Sequence, residues 1–237
     1  MSTTEVDTQR CLEVTLQVGA SGGIVEFVPN AGWLVEGLLS EEECDAIIST
    51  CEEFPLEVQH GLSYCNKACF DDSDLATLIQ EKICARFASC GGLSRSLNLP
   101  ISSITVEEEE YQQFLKEWER PSSSLDMEHC HLIEQLRYIS YPPGGFIGPH
   151  TDGVRVCPIT LKATQVTLIL YLQHSEAGQT RFLRGTKSDY TEFCAITPQK
   201  GSALLFRHQL LHLGDGVGPE GKLLLRGDLA VAERASL

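Results

Sequence analysis

Positive charge is scarce in this sequence. Eighteen of its 237 residues are Lys or Arg and 33 are Asp or Glu, which gives a formal charge of −15. A protein that binds nucleic acid needs a cationic surface that displaces counterions from the phosphates. We therefore expect no nucleic-acid partner.

Long apolar runs are also missing. The run at residues 166–172 is among the longest, and it falls far short of the roughly 20 residues that a membrane span requires. The opening MSTTEVDTQR has no apolar signal region. We expect a protein that does not contact membranes, is not secreted and works in the cytoplasm, with the nucleus as the alternative.

Cysteine is plentiful, but it lacks the spacing of a metal site. None of the ten cysteines forms a CxxC pair, and Cys65 and Cys69 have no matching second pair. In a chain without a secretory signal, such cysteines are typical of reduced, partly buried thiols. We expect neither disulfides nor a structural zinc ion.

The length and a hydrophobic content of 42% favour one globular domain over residues 1–237. Residues 1–130 are expected to supply N-terminal strands and supporting helices, and residues 131–237 the core. Weak alternation before residue 32 indicates early strands. Ser40 and Glu43 form a capping-box pattern that predicts a helix, and a second helix is predicted to begin near Asp72.

A third helical pattern carries one aromatic face. Tyr111, Phe114 and Trp118 recur at helical spacing after four consecutive acidic residues, Glu107 to Glu110. The pattern predicts a solvated helix with one buried face. The acidic row could instead form a lip that binds a basic partner, and the sequence leaves that alternative open.

The second half of the chain has the pattern of a β fold. Turn signals rich in Pro and Gly separate short runs of β-branched and aromatic residues. These runs cover residues 136–141, 165–172, 191–196, 202–206 and 222–231. We predict an α+β fold, mainly β, in which N-terminal helices buttress an antiparallel double-sheet jelly roll, also called a double-stranded β-helix.

Three side chains in this half could bind a metal. His150 and Asp152 are separated by two positions, so on an extended segment both project from the same face. His212 follows another predicted strand and could supply a third ligand. Two imidazoles and one carboxylate are the set that holds non-haem Fe(II) and leaves positions for a chelating co-substrate and O₂.

Two cations follow the distal histidine on one strand face. Lys222 lies ten residues after His212, and Arg226 lies four residues further. A buried cation needs an anion, so either side chain could bind a carboxylate that arrives with a substrate. Alternatively, either could pair with Asp228 or reach water. Tyr141 could donate to the same carboxylate or be a core aromatic residue.

These residues carry a resemblance to a known family. The segments LRYISYPPGGFIGPHTDG, ATQVTLILYLQ, AGQTRF, PQKGSALLFRHQLLHLG and GKLLLRGDLAV resemble the Fe(II)- and 2-oxoglutarate-dependent dioxygenases, in particular the prolyl 4-hydroxylase-like group. The resemblance spans about residues 136–231. Upstream, CNKACFDDSDLATLIQEKI is more faintly similar to the start of a helix in small cytosolic members.

The resemblance implies a role for each matching position. His150, Asp152 and His212 would bind the catalytic iron, and Lys222 would pair with the far carboxylate of 2-oxoglutarate with support from Tyr141. Arg226 is the second candidate for that carboxylate. Thr180 would pack near the co-substrate, although Ala177-Gly-Gln-Thr180 lacks the first glycine and the acid of the family pattern.

The implied reaction is hydroxylation of a C–H bond with release of succinate and CO₂. The implied cofactors are Fe(II), 2-oxoglutarate and O₂, with ascorbate as the reductant. A prolyl residue of a peptide or protein is the first expected substrate, and a free amino acid or another small molecule is the second. A non-catalytic 2-oxoglutarate-binding or scaffold protein and a sugar-binding barrel remain alternatives, and the oligomeric state stays open.

Overall fold

The computed structural model describes residues 23–89, 95–96, 103–118 and 123–235. The alternation expected before residue 23 lies outside these ranges. Three helices are present: α1 (Glu41–Cys51), α2 (Ser73–Ser89) and α3 (Glu108–Glu117). The strands are β1 (Ile24–Val28), β2 (Gly32–Val35), β3 (Glu57–Gln59), β4 (Ser63–Asp71), β5 (Arg95–Ser96), β6 (Ile104–Val106), β7 (Ser123–Leu132), β8 (Gln135–Tyr141), β9 (Phe146–His150), β10 (Val166–Tyr171), β11 (Thr180–Gly185), β12 (Tyr190–Ile196), β13 (Ala203–Arg207), β14 (His212–Gly214) and β15 (Lys222–Ala235).

The strands form two sheets that share β4. The first sheet runs in the order β5-β1-β2-β13-β10-β15-β8-β4, with β3 beside β4 and β7 beside β15. The second runs β4-β9-β14-β11-β12-β6. Among the described strands every pairing is antiparallel except that of β1 with β5. The predicted jelly-roll fold is confirmed.

The alternation of strand β10 separates two apolar layers. Leu168 and Leu170 face the layer that contains Ile47 of α1 and Ile79 of α2. Ile169 and Tyr171 face the opposite way, into a cluster that also contains aromatic side chains of the second sheet. The first sheet is therefore covered by helices on one face and by the second sheet on the other.

The helices begin where the sequence predicts. Ser40 caps α1, and the reciprocal bonds of a capping box link Ser40 and Glu43. Asp72 accepts a hydrogen bond from the amide of Leu75 at the start of α2. Helix α3 lies on the second sheet, where Phe114 stacks on Phe193 of β12 at a centroid distance of 3.9 Å. The aromatic face of α3 is thus buried, as predicted.

Two segments differ from the sequence-based expectation. The segment that begins at Cys65 leads into helix α2, as the resemblance implies, but its first part up to Asp71 belongs to strand β4, which the sequence does not predict. Its pairing with β8 is non-local and leaves little local signal. Residues 121–124 have turn composition, but β7 begins at Ser123 because it pairs with the end of β15. No helix among the described residues is long and apolar enough to cross a membrane.

Candidate metal centre and co-substrate site

The two predicted histidine ligands face each other across neighbouring strands. His150 ends β9, His212 begins β14, and the two residues are direct partners in the antiparallel register. Their ring centroids are 4.2 Å apart. Asp152 follows β9, with its carboxylate oxygens 3.7 Å from Nε2 of His150 and 3.8 Å from Nε2 of His212. The structure therefore brings all three predicted ligands together, with their ligand atoms within 4.8 Å of one another.

Both imidazoles are oriented by the same kind of backbone contact. Nδ1 of His150 donates to the carbonyl of Gly148, and Nδ1 of His212 donates to the carbonyl of Leu210, each at 2.9 Å. Since a carbonyl oxygen can only accept, the proton lies on Nδ1 and the lone pair on Nε2. Each Nε2 faces Asp152. Burial, with the neighbouring His150 as a second cause, lowers the pKa of His212 to about 4, so its imidazole is neutral at pH 7.

A chain of hydrogen bonds fixes the carboxylate of Asp152. The hydroxyl of Thr167 donates to Oδ2 of Asp152 at 2.5 Å. Having given its proton, this hydroxyl accepts from Nδ1 of His208 at 2.9 Å, and Nε2 of His208 accepts from Thr164 at 2.9 Å. All three network residues are buried. His208 is therefore part of a positioning network behind the triad.

Lys222 and Tyr141 are partners across β15 and β8. The lysine is 2% exposed, and its Nζ lies 4.6 Å from the centre of the Tyr141 ring and donates to the carbonyl of Gly178 at 2.7 Å. It forms no ion pair with any carboxylate of the described residues. Burial lowers the pKa of Lys222 to about 8, while Asp215 acts in the opposite direction. Burial also raises the pKa of Tyr141, so its hydroxyl keeps its proton.

Thr180 lies close along the chain to Gly178, whose carbonyl accepts from this lysine. It is buried at the start of β11, two residues after the carbonyl that accepts from Lys222. Its hydroxyl lies 2.8 Å from that of Tyr171. Gly178, the glycine that the segment retains, has a φ of +71°.

Arg226 differs from Lys222 in that it already has carboxylate partners. It lies 2.7 Å from Oδ1 of Asp152 and 3.3 Å from Oδ1 of Asp228. Asp228 is fully buried and is also contacted by Arg137 at 3.1 Å and Arg155 at 3.4 Å. We call these four residues the arginine cluster: Arg137, Arg155, Arg226 and Asp228.

A cavity of about 390 Å³ lies beside the triad. His150, Asp152 and Tyr141 line it, and so do the three arginines of the cluster together with Lys67 of β4. Other lining residues come from the β3–β4 hairpin and from the segment after Asp152. The triad thus adjoins a space in which a small molecule or a side chain can bind.

The donor set fits a ferrous ion and a dicarboxylate co-substrate. Two imidazole nitrogens and a carboxylate match the preferences of non-haem Fe(II), and both Nε2 atoms face the acid. A buried ammonium without a counter-ion fits the far carboxylate of 2-oxoglutarate, since burying a cation alone is unfavourable.

Several residues of the site were not found from the sequence. Thr167 leaves a signal only as a polar residue within an apolar strand, and His208 is visible as part of a His-x3-His pair. Asp228 is expected only as a partner of Lys222 or Arg226, and it does pair with Arg226. Lys67, Arg137 and Arg155 leave no signal, because their role depends on strand pairings between distant parts of the chain.

Comparison with known proteins agrees with this geometry. Residues 136–226 match the model of the 2OG-Fe(II) oxygenase superfamily, and the triad, Tyr141, Thr180, Lys222 and Arg226 all lie within the match. No curated protein matches the chain in sequence.

Solved structures with a similar fold share little sequence identity with the chain. The carbocyclase SnoK of nogalamycin biosynthesis is 11% identical, with 87% of this chain and 83% of SnoK covered and a TM-score of 0.53, which shows a common fold. The collagen prolyl hydroxylase of Paramecium bursaria Chlorella virus-1 is 19% identical, with 84% and 95% covered and a TM-score of 0.47. A prolyl-4-hydroxylase of Pseudomonas putida is 16% identical, with 86% and 93% covered and a TM-score of 0.49.

The family expected from the sequence is therefore confirmed over the part of the chain that forms the site. Residues 136–226, which contain the triad and every predicted co-substrate residue, match the 2OG-Fe(II) oxygenase superfamily.

Proposed function

We propose that the protein hydroxylates a C–H bond of a prolyl residue in a peptide or protein. One molecule each of 2-oxoglutarate and O₂ is consumed; one oxygen atom enters the new hydroxyl group and the other enters succinate, with release of CO₂. The observation that carries the proposal is the combination of the His150–Asp152–His212 triad with a buried ammonium, Lys222, that has no carboxylate partner among the described residues.

The three triad residues would hold Fe(II), and Lys222 and Tyr141 would hold 2-oxoglutarate. When bound, the iron and 2-oxoglutarate supply the oxidising power for attack on the C–H bond. Lys222 neutralises the far carboxylate of 2-oxoglutarate and fixes its orientation. Tyr141 is protonated and can donate to the same carboxylate.

Lys222 is proposed as the main anchor and Arg226 as a secondary contact. Arg226 already pairs with Asp152 and Asp228, whereas Lys222 has a carbonyl and an aromatic ring. An incoming carboxylate therefore gains more at Lys222, where it satisfies a buried charge.

The prolyl substrate is supported by sequence resemblance. Tyr141 lies nine residues before His150, and Lys222 lies ten residues after His212; this order resembles the prolyl 4-hydroxylase-like group. Ascorbate is proposed as the reductant on the same grounds, and a test is the turnover number in its presence and absence.

The test is a coupled assay with purified protein and Fe(II) under air. Capped peptides with one proline are incubated with 2-oxoglutarate, and succinate and peptide mass are followed together. We expect succinate formation to match the gain of one oxygen atom on proline. Succinate formation without a gain of oxygen on any prolyl peptide would refute the prolyl residue as the substrate. If the protein neither bound 2-oxoglutarate nor turned it over, the proposal that it is an enzyme would be refuted.

A further inference from the structure

The cavity beside the triad is cationic in a strongly acidic protein. Four cations line it, namely Lys67, Arg137, Arg155 and Arg226, whereas Asp152 is the one carboxylate in its lining. Asp228 lies behind the arginines as a second carboxylate. Two positive charges thus remain in excess, although the whole chain carries −15.

Bound metal and co-substrate would leave this excess in place. A divalent cation adds two positive charges, and 2-oxoglutarate adds two negative ones. The main anchor proposed for 2-oxoglutarate, Lys222, does not line the cavity, so the cavity cations are additional to it.

The three arginines share two carboxylates, Asp228 and, for Arg226 alone, Asp152. Arg137 and Arg226 are direct partners across β8 and β15, and like charges opposite each other on a sheet destabilise it. One buried carboxylate, Asp228, serves all three guanidinium groups. A further anion in the cavity would relieve the repulsion.

Lys67 is the cation with the fewest partners. It forms no hydrogen bond or ion pair with the residues that the structure describes, and Glu57, its register partner on β3, has an exposed side chain. Arg155 makes the longest contact of the three arginines to Asp228, at 3.4 Å, and its side chain is the most exposed, at 30% against 18% for Arg137 and 16% for Arg226. Both can accept a ligand without dismantling the cluster.

The mouth of the cavity offers apolar contacts as well. Val154, which lines the cavity, is 66% exposed, and Ile139 and Ile147 are apolar residues of the same lining. The cations would bind an acidic group, and these side chains would pack against apolar parts of the same chain.

We propose that the substrate carries a carboxylate, bound by Lys67 and Arg155 beside the triad, and that this carboxylate belongs to an acidic residue next to the hydroxylated one in a peptide. The inference rests on the proposed function, because it places the substrate in this cavity. It differs from the sequence-based alternative of a basic partner at Glu107–Glu110, a segment that does not line this cavity.

The test measures binding separately from turnover. Capped, fluorescently labelled peptides with one proline are made in three versions, with Glu, Gln or Lys beside the proline. Each is titrated against protein loaded with Mn(II) and 2-oxoglutarate, and fluorescence anisotropy gives the Kd. We expect the Glu peptide to bind at least about tenfold tighter than the Gln peptide and the Lys peptide to bind weakest.

Matched variants assign the effect to the cavity. Lys67→Met keeps the aliphatic stem and is expected to remove most of the preference for Glu, as is Arg155→Gln. Lys187→Met, in the exposed β11–β12 turn, serves as the control and should retain it. Thermal unfolding verifies folding, and Lys67→Met remains informative if Arg155→Gln disturbs the cluster. Equal binding of the three peptides, or a preference that survives in the double variant, would overturn the proposal.

Additional binding experiments test this inference independently of the prolyl proposal. They also distinguish a carboxylate of a peptide from that of a small molecule. Peptides with alanine in place of proline test the charge preference alone. If the preference for Glu persists in these peptides while no prolyl peptide gains oxygen, the prolyl proposal is refuted and the carboxylate site is supported. L-Proline and L-prolinamide are compared as competitors. If L-proline competes more strongly than L-prolinamide, the carboxylate site is supported but its ligand is a free amino acid. That result would refute the proposal that the carboxylate belongs to a peptide.

Discussion

Thr167 donates a hydrogen bond of 2.5 Å to Oδ2 of Asp152. The threonine lies on β10 and the aspartate follows β9, so the bond links two parts of the chain that belong to different sheets. Because His208 and Thr164 continue the chain of bonds, the orientation of the acidic ligand depends on residues that do not reach the metal site themselves.

Thr167→Val is therefore expected to weaken metal binding. The change preserves the shape of the side chain but removes the hydroxyl, and loss of such a contact costs about 10- to 100-fold in affinity. Titration with Mn(II) or Fe(II) under anaerobic conditions measures the metal affinity of the variant. Thr191→Val, at an exposed position of β12, should leave affinity unchanged. Equal affinities of the two variants would contradict a positioning role for Thr167.

Lys222→Met is expected to abolish tight binding of 2-oxoglutarate while stabilising the free protein at pH 7. The folded-state pKa of about 8 lies below the ordinary value of 10.5, so the charged lysine disfavours folding below pH 8. This cost is relieved as pH rises from about 8 to 10.5, because the unfolded chain then binds more protons. Calorimetry without ligand should show a higher Tm for the variant at pH 7. A lower Tm together with unchanged 2-oxoglutarate affinity would refute this role.

The same lysine predicts a pH dependence of co-substrate binding. Below pH 8 the ammonium is present before 2-oxoglutarate arrives, whereas above pH 8 a proton must be taken up during binding. The Kd for 2-oxoglutarate should then rise by up to about tenfold per pH unit above pH 8. Isothermal titration in buffers of different ionisation enthalpy would measure the proton uptake. A Kd that stays constant from pH 7 to 9.5 would exclude Lys222 as the anchor.

Asp228→Asn is expected to lower the free energy of unfolding by about 3–5 kcal/mol, because three guanidinium groups lose their buried counter-ion. Urea unfolding measures the change. Asp215→Asn is a suitable comparison: Asp215 pairs with Arg181 at 2.7 Å, but its side chain is 45% exposed, and such a pair contributes about 0–1 kcal/mol. Similar losses in both variants would show that the arginines do not depend on Asp228.

Cys84 is expected to react with alkylating agents at pH 7 faster than the other seven cysteines of the described residues. Its Sγ lies 3.6 Å from that of Cys130, and a hydrogen bond from that thiol lowers the pKa of Cys84 to about 6, while the same contact raises the pKa of Cys130. Mass spectrometry after brief treatment with iodoacetamide identifies the first site. In Cys130→Ser the faster alkylation of Cys84 should be retained in part, and in Cys130→Ala it should be lost. Preferential labelling of the exposed Cys69 would contradict the prediction.

The sequence predicts the parts of the fold that have local causes. The capping box at Ser40, the capping acid Asp72 and the aromatic stripe of α3 each act within a few residues, and all appear as expected. Strand β4 depends on pairing with β8 across more than 60 positions, and its mixed composition gives no period-2 signal. The sequence therefore predicts the helices well and misses this strand.

The same distinction applies to the site. His150 and Asp152 are visible because positions i and i+2 of an extended segment share a face. Thr167, Arg137 and Lys67 come together with them only through the register of several strands, which a single sequence does not encode locally. The residue pattern names His212 and Lys222 as candidates and the family resemblance gives their roles, but neither carries information on how many cations surround the substrate cavity.

Strand β15 places Lys222, Arg226 and Asp228 at even spacing, so all three project from one side of the same ribbon. A shift of one residue in the register of β15 would turn the three charges toward the helices together and bring leucines into the site in their place. Co-substrate recognition, substrate recognition and the counter-ion of the arginines would then be lost in one event. We infer that length changes in this part of the chain are tolerated in the preceding glycine-rich turn only when they leave the alignment of β15 with β8 and β10 intact.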